Sequence, residues 1–177
     1  MNNIEVEIKS FISKEKYDEL FDFFKRNADF VNEDLQETHY FDSKEDIRIQ
    51  KNKNSAKVWI KKGSIHDNFR EEKEIIFGKN DFEVLENLFI SLGLKIKIKW
   101  FRRRYVFNWN NIKVCLDNTK GYGYILELEI MSNDSEKEKV LIILNNKMSE
   151  LKINPSSKEE FSEKFKYYEE NWQKLIN

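Results

Sequence analysis

One cysteine, one proline, five glycines and two histidines are all that 177 residues contain of those four types. A lone thiol excludes an intramolecular disulfide framework and any thiolate cage for a metal. With so little Pro and Gly there is scant material for a linker, and no repeat or composition break divides the chain. A single domain over residues 1–177 is expected. No apolar run approaches the ~20 residues of a membrane-spanning helix, and the opening Met1-Asn2-Asn3-Ile4-Glu5 does not read as a secretion signal. Charge of one sign is lacking too: 31 Lys and Arg against 32 Asp and Glu leave a net charge of −1. Global attraction to nucleic acid or to an anionic membrane is therefore not expected. The 14% aromatic and 40% hydrophobic content excludes a disordered chain. A soluble, cytoplasmic protein is the expectation.

Periodicity supplies the elements. Ile4–Ile12 alternates as a strand, with Glu5, Glu7 and Lys9 on one face and Ile4, Val6 and Ile8 on the other. Tyr17, Leu20, Phe21 and Phe24 recur at helical spacing behind a Ser13 N-cap. Period-2 segments follow at Gln36–Asp42, Asp46–Lys51, Ala56–Lys62 and Phe69–Phe77. A second helix is expected from Asn80, with Glu83 completing a capping box, to Gly93. Strands are expected again at Ile96–Trp109, Asn111–Asp117 and Gly123–Met131, the first two joined at Asn110-Asn111, since Asn tolerates left-handed backbone angles. Two helices end the chain. The last has a Ser157/Glu160 capping box and an apolar stripe of Phe161, Phe165, Tyr168 and Trp172, read as core packing. This makes about eight strands and four helices in an α+β arrangement.

The polar strand faces are unusually pure in charge. Glu5, Glu7 and Lys9 share one; Arg70, Glu72 and Glu74 another; Arg102 and Arg104, and Glu127 and Glu129, two more. Arg48 pairs with Gln50, and Lys61 shares its face with Trp59. One such strand is an ordinary solvated sheet surface. Six together point to charged faces turned into a closed barrel, where positions alternate between interior and exterior. Carboxylates without thiolate or His spacing favour a hard cation, Mg²⁺ or Mn²⁺, and the surplus Arg and Lys suit phosphate oxygens.

In order along the chain stand Glu5-Val6-Glu7-Ile8-Lys9, Gln36 with Tyr40-Phe41-Asp42, Ile47-Arg48-Ile49, and Val58-Trp59-Ile60-Lys61-Lys62-Gly63. Then come Arg70-Glu71-Glu72-Lys73-Glu74, Arg102-Arg103-Arg104-Tyr105, Val114-Cys115-Leu116-Asp117, and Gly121-Tyr122-Gly123 with Leu126-Glu127-Leu128-Glu129. This set, from about Asn3 to Met131, resembles the CYTH superfamily, the triphosphate tunnel metalloenzymes. That group includes class IV adenylyl cyclases, thiamine triphosphatases and inorganic triphosphatases. The resemblance implies an eight-stranded antiparallel tunnel flanked by helices. It implies metal ligation by Glu5, Glu7, Glu127 and Glu129, with Glu72 and Glu74 near a second metal or the basic cluster. It implies that Lys9, Arg48, Lys61, Arg102 and Arg104 grip a triphosphate, together with Arg70, and that Tyr40 and Lys61 stand near the attacking water. Three positions depart from the family pattern: Gln50 replaces an Arg, Trp100 replaces a Lys, and Lys120 replaces an acid and restores a cation at the tunnel mouth.

The resemblance thus implies a metal-dependent triphosphatase of inorganic or organic triphosphates, with Mg²⁺ or Mn²⁺ as cofactor. The alternatives are a class IV adenylyl cyclase making cyclic AMP, for which Trp59 or Trp100 would stack the base, and a non-catalytic polyphosphate-binding module. A homodimer is compatible with each. His39 and His66 lack metal-ligand spacing, and Cys115 is read as packing. The basic run Lys95–Arg104 is read as a tunnel wall rather than a nucleic-acid surface. Gly121 and Gly123 are read as turn glycines.

Overall fold

The computed structural model describes the backbone of residues 4–61, 69–70 and 72–177, and their side chains except at 69, 70 and 72. Residues 62–68 and 71, and with them Lys62, Gly63, His66 and Glu71, lie outside this description. Strand β1 (Ile4–Ile12) ends where the Ser13 hydroxyl accepts from the Lys16 amide and opens helix α1 (Lys14–Asn27). Satisfying one of the orphan amides of the first turn is what an N-cap contributes, about 1 kcal/mol. Strand β2 (Asp29–Asp42) starts seven residues earlier than expected, because Asp29–Leu35 pairs with the later segment Arg103–Asn108. Polar Asn32, Glu33 and Asp34, the first two exposed, conceal this extension from a hydrophobicity pattern.

Strands β3 (Asp46–Lys51) and β4 (Ser55–Lys61) follow. Over the strand expected at Phe69–Phe77 the described residues form β5 (Phe69–Arg70) and β6 (Glu72–Gly78). Helix α2 (Phe82–Ser91) begins after a 3₁₀ turn at Lys79–Asp81, two residues later than expected and without the capping box. Glu83 instead accepts from Lys51 Nζ at 2.7 Å, a contact with β3 that no local pattern foretells. Gly93 stops this segment as expected, with φ +89°. Strands β7 (Lys95–Trp109), β8 (Ile112–Thr119) and β9 (Gly123–Ser132) come next, and helices α3 (Lys137–Glu150) and α4 (Lys158–Leu175) end the chain. Asn110 and Asn111 both take left-handed φ, 53° and 63°, at the β7–β8 hairpin. No helix among the described residues is long and apolar enough to cross a membrane.

Among the described residues the nine strands form one antiparallel sheet in the order β5-β1-β9-β8-β7-β2-β3-β4-β6. Among the described residues this sheet ends at β5 on one side and β6 on the other, so hydrogen bonds there do not close the expected barrel. These two end strands are consecutive in the chain, with only residue 71 between them. β5 pairs with β1 (Glu5 opposite Arg70) and β6 with β4 (Lys61 opposite Glu72).

Strand parity then divides the side chains. Val6, Ile8, Phe107, Val114, Leu116, Leu126 and Leu128 turn outward and bury against Leu20 and Phe24 of α1 and Leu144 and Met148 of α3. Each such side chain contributes roughly 1.5–3 kcal/mol through burial. Helix α2 covers a second cluster through Phe82, with Phe41, Ile49 and Ala56. Helix α4 packs Phe165 and Tyr168 onto Ile98 and Trp100, with Trp172 partly buried beside them. Its C-terminal end is held against the β8–β9 turn. There Lys120 Nζ donates to the Ile176 carbonyl, and a Cβ on Gly121 (φ +74°) would lie 2.5 Å from Leu175 Cβ. The opposite strand faces, the charged ones, are left to face one another.

Candidate functional site: a charged cavity inside the sheet

Those inward faces enclose a cavity of about 650 Å³. Among the described residues its wall carries seven carboxylates: Glu5, Glu7, Asp34, Glu74, Asp117, Glu127 and Glu129. It carries seven cations as well: Lys9, Arg48, Lys57, Lys61, Arg102, Arg104 and Lys113. Gln50 joins them from β3, and Tyr40, Trp59, Trp100, Tyr122, Phe161 and Phe165 add aromatic surface. Phe161 and Phe165 therefore face the cavity in addition to packing. His39 is on the other face of β2, buried at 1% exposure with Nε2 2.8 Å from Glu37.

The four glutamates of β1 and β9 share this wall because those strands pair, with Glu7 opposite Glu129 and Lys9 opposite Glu127. Each is drawn to a cation. Lys9 Nζ lies 2.9 Å from Glu7, Lys113 Nζ 2.7 Å from Glu129, Arg104 Nη2 3.2 Å from Glu127 and Lys61 Nζ 3.6 Å from Glu5. On β6, Glu74 accepts from Lys57 at 2.8 Å. Among the described residues no three Asp, Glu, His or Cys side chains gather as a ready metal site, since the cations interleave them.

The donor set nevertheless suits a hard divalent cation, being all carboxylate oxygen. Burial pushes the Glu5 carboxyl up to about 7; Lys61 opposes this, while Glu129, Glu7 and Glu127 add to it. The carboxylates around Glu5 thus repel one another, and positive charge placed among them would relieve that repulsion. Glu127 behaves oppositely. Burial raises it, but Arg104, Lys9, Arg102 and Lys113 together hold it at about 2.

The arginines are fixed by carboxylates that charge patterning alone did not single out. Asp117, 2% exposed on β8, accepts from Arg104 Nε and Nη2, both at 2.7 Å, and from Arg102 Nη1 at 3.1 Å. Arg102 also donates through Nε and Nη2 to Gln36 Oε1 at 2.8 and 2.5 Å. Asp46 binds Arg48 in a two-pronged contact at 2.7 and 2.5 Å, and Arg48 Nη1 donates to Tyr40 Oη at 3.2 Å. The Arg48 guanidinium lies 4.3 Å from the Tyr40 ring centroid. Planar forks held this way are presented in one orientation, which is what bidentate recognition of phosphate needs.

Of the residues singled out by sequence, the cavity gathers Glu5, Glu7, Glu74, Glu127, Glu129, Lys9, Tyr40, Arg48, Lys61, Arg102 and Arg104. Lys120 is not on its wall but on the α4 clasp. Arg70 and Glu72 stand on strands whose side chains at these positions lie outside the described residues. Sequence reasoning missed Asp34, Lys57, Lys113 and Asp117 as wall residues. Strand parity with Gln36 and Trp59 was the signal available for Asp34 and Lys57, whereas Lys113 and Asp117 share their parity with Cys115, which reads as packing. Trp59 Nε1 is buried and, among the described residues, without a hydrogen-bond acceptor. Cys115 is fully buried and its thiol is pushed up to about 12 by burial, so it is no nucleophile.

The solved structures with this fold include a conserved hypothetical protein from Pyrococcus furiosus, 27% identical, with a TM-score of 0.72 over 85% of this chain and 91% of that one. A candidate adenylyl cyclase from Hippeastrum, reported with a dominant triphosphatase activity, is 16% identical with a TM-score of 0.64 over 88% and 92%. A candidate adenylate cyclase from Bacillus halodurans is 18% identical with a TM-score of 0.65 over 89% and 95%. No curated protein matches the chain. The CYTH domain model matches residues 3–162. With that match spanning most of the chain, and the glutamate and arginine pairs of the motif on one cavity wall, this protein belongs to the CYTH domain family.

Proposed function

We propose that the protein is a divalent-metal-dependent triphosphatase acting on inorganic or organic triphosphate within this cavity. The observation that carries the reading is the composition of the wall, where among the described residues seven carboxylates and seven cations face the same space. Such a wall is close to neutral. It suits a polyanion that arrives with its own divalent cations better than either ion alone. The cavity closes into a tunnel in this reading, through the covalent continuity of β5 and β6 across residue 71.

Glu5, Glu7, Glu127 and Glu129 would hold Mg²⁺ or Mn²⁺, with Glu72 and Glu74 close to a second ion. The metal supplies charge neutralisation and a Lewis acid at phosphate oxygens. Lys9, Lys61, Arg48, Arg102 and Arg104, with Arg70, take the remaining phosphate oxygens. Asp117 and Asp46 keep the guanidinium planes still, so little reorganisation is needed as charge shifts in the transition state. Tyr40 and Lys61 orient the water that attacks the terminal phosphorus. The protein's single cysteine and the absence of any disulfide fit a cytoplasmic setting.

A second reading, a class IV adenylyl cyclase, is favoured by Trp59 and Trp100, which both face the cavity and could stack an adenine. Incubation with ATP and Mg²⁺ separates the two. Release of phosphate supports the hydrolase, and cyclic AMP with pyrophosphate supports the cyclase.

A further inference from the structure

Lys113 stands directly opposite Glu129 in the β8–β9 ladder, and its Nζ donates to Glu129 Oε2 at 2.7 Å. The two partners differ sharply in access to water. The Glu129 side chain is 7% exposed and the Lys113 side chain 48%. A carboxylate at that depth needs a cation beside it, because leaving it unpaired is strongly unfavourable. A half-exposed lysine side chain with a flexible four-carbon stem, by contrast, can swing its ammonium away from its partner into water at modest cost. The other cavity pairs lack this asymmetry. The Arg104 side chain is 13% exposed and locked to Asp117, and those of Lys9 and Lys61 are 20% and 17% exposed.

We propose that Lys113 is a removable counter-ion: it occupies Glu129 until a divalent cation takes its place, and so sets the affinity of the metal site. The inference rests on the reading of Glu129 as a metal ligand given under Proposed function. It has two physical consequences. The site stays charge-compensated and folded without metal, and metal binding carries the cost of moving one ammonium into water. Once displaced, the amine remains beside the cavity, where a phosphate oxygen can accept from it.

The test is Mn²⁺ binding by calorimetry, without substrate, at fixed pH and ionic strength, for the wild type, Lys113→Met, Lys113→Gln and Lys113→Arg. The expected result is affinity about fivefold tighter or more in the two neutral variants. In Lys113→Arg, which keeps the charge, affinity should stay within about twofold of wild type. Thermal melting identifies any variant that fails to fold, and either neutral variant suffices. Wild-type binding of Mn²⁺ with unchanged or weaker affinity in the neutral variants overturns the role of Lys113 alone. Binding of Mn²⁺ by none of the proteins overturns it together with the metal-site reading.

Discussion

Glu7 and Glu129 stand directly opposite each other across the β1–β9 ladder, both facing the cavity. Like charges so placed repel by up to about 1 kcal/mol, and folding stability alone would not select them. Lys9 and Lys113 compensate them one by one. Glu129→Gln is therefore predicted to fold normally, melting within a few degrees of wild type. Metal-dependent turnover should fall by about 100-fold or more, equivalent to roughly 3 kcal/mol of lost transition-state stabilisation. Parallel melting curves and phosphate-release assays check this, and an unfolded variant would make Glu129 a structural residue instead.

Asp117 is the opposite case. It is 2% exposed and accepts from both Arg102 and Arg104. Its removal leaves Glu127 as the one carboxylate on the Arg104 guanidinium among the described residues, and breaking a buried pair on one side costs about 3–5 kcal/mol. Asp117→Ala should therefore lower unfolding free energy by that amount in urea titration. A loss below about 1 kcal/mol would show that water or Glu127 compensates both arginines.

Gln50, 7% exposed on the cavity wall, stands where the family pattern has a second arginine. An amide contributes hydrogen bonds but no charge, and a charge-assisted contact is worth roughly 1.5–3 kcal/mol. Gln50→Arg should lower KM for inorganic triphosphate by about tenfold or more at fixed metal concentration. An unchanged KM would mean that Lys57, opposite Gln50 in the β3–β4 ladder, already fills that role.

Cys115 has no exposed surface, and burial pushes its thiol up to about 12. The thiolate is the reactive form, so at pH 8 the native protein should not react with a disulfide reagent over hours. In denaturant, with the thiol back near its ordinary value, one equivalent should react promptly. Rapid labelling of the native protein would mean that β8 opens to solvent.

Much of this fold is legible in the chain because local signals and tertiary demands agree. Ser13, Ser157, Gly93 and Asn110-Asn111 end or turn elements as side-chain chemistry and φ dictate. The alternation of β1, β7 and β9 assigns Glu5, Glu7, Arg102, Arg104, Glu127 and Glu129 to one face. What stayed hidden depends on partners distant in sequence. The first half of β2 shows no clean apolar–polar alternation, its Phe30, Val31 and Leu35 being exposed, and it exists as a strand because β7 is long enough to pair with it. Glu83 gives up a capping box for Lys51, and Lys120 leaves the cavity for the end of α4. Asp117 reads as one more residue of an apolar strand until the two arginines of β7 are seen beside it.

The most direct measurement is product analysis with inorganic triphosphate, thiamine triphosphate and ATP, each with Mg²⁺, with Mn²⁺ and with excess chelator. A triphosphatase built on this cavity releases phosphate from at least one of them, only when metal is present, and makes no cyclic AMP. Cyclic AMP and pyrophosphate from ATP at a comparable rate, or phosphate release that survives the chelator, would contradict it.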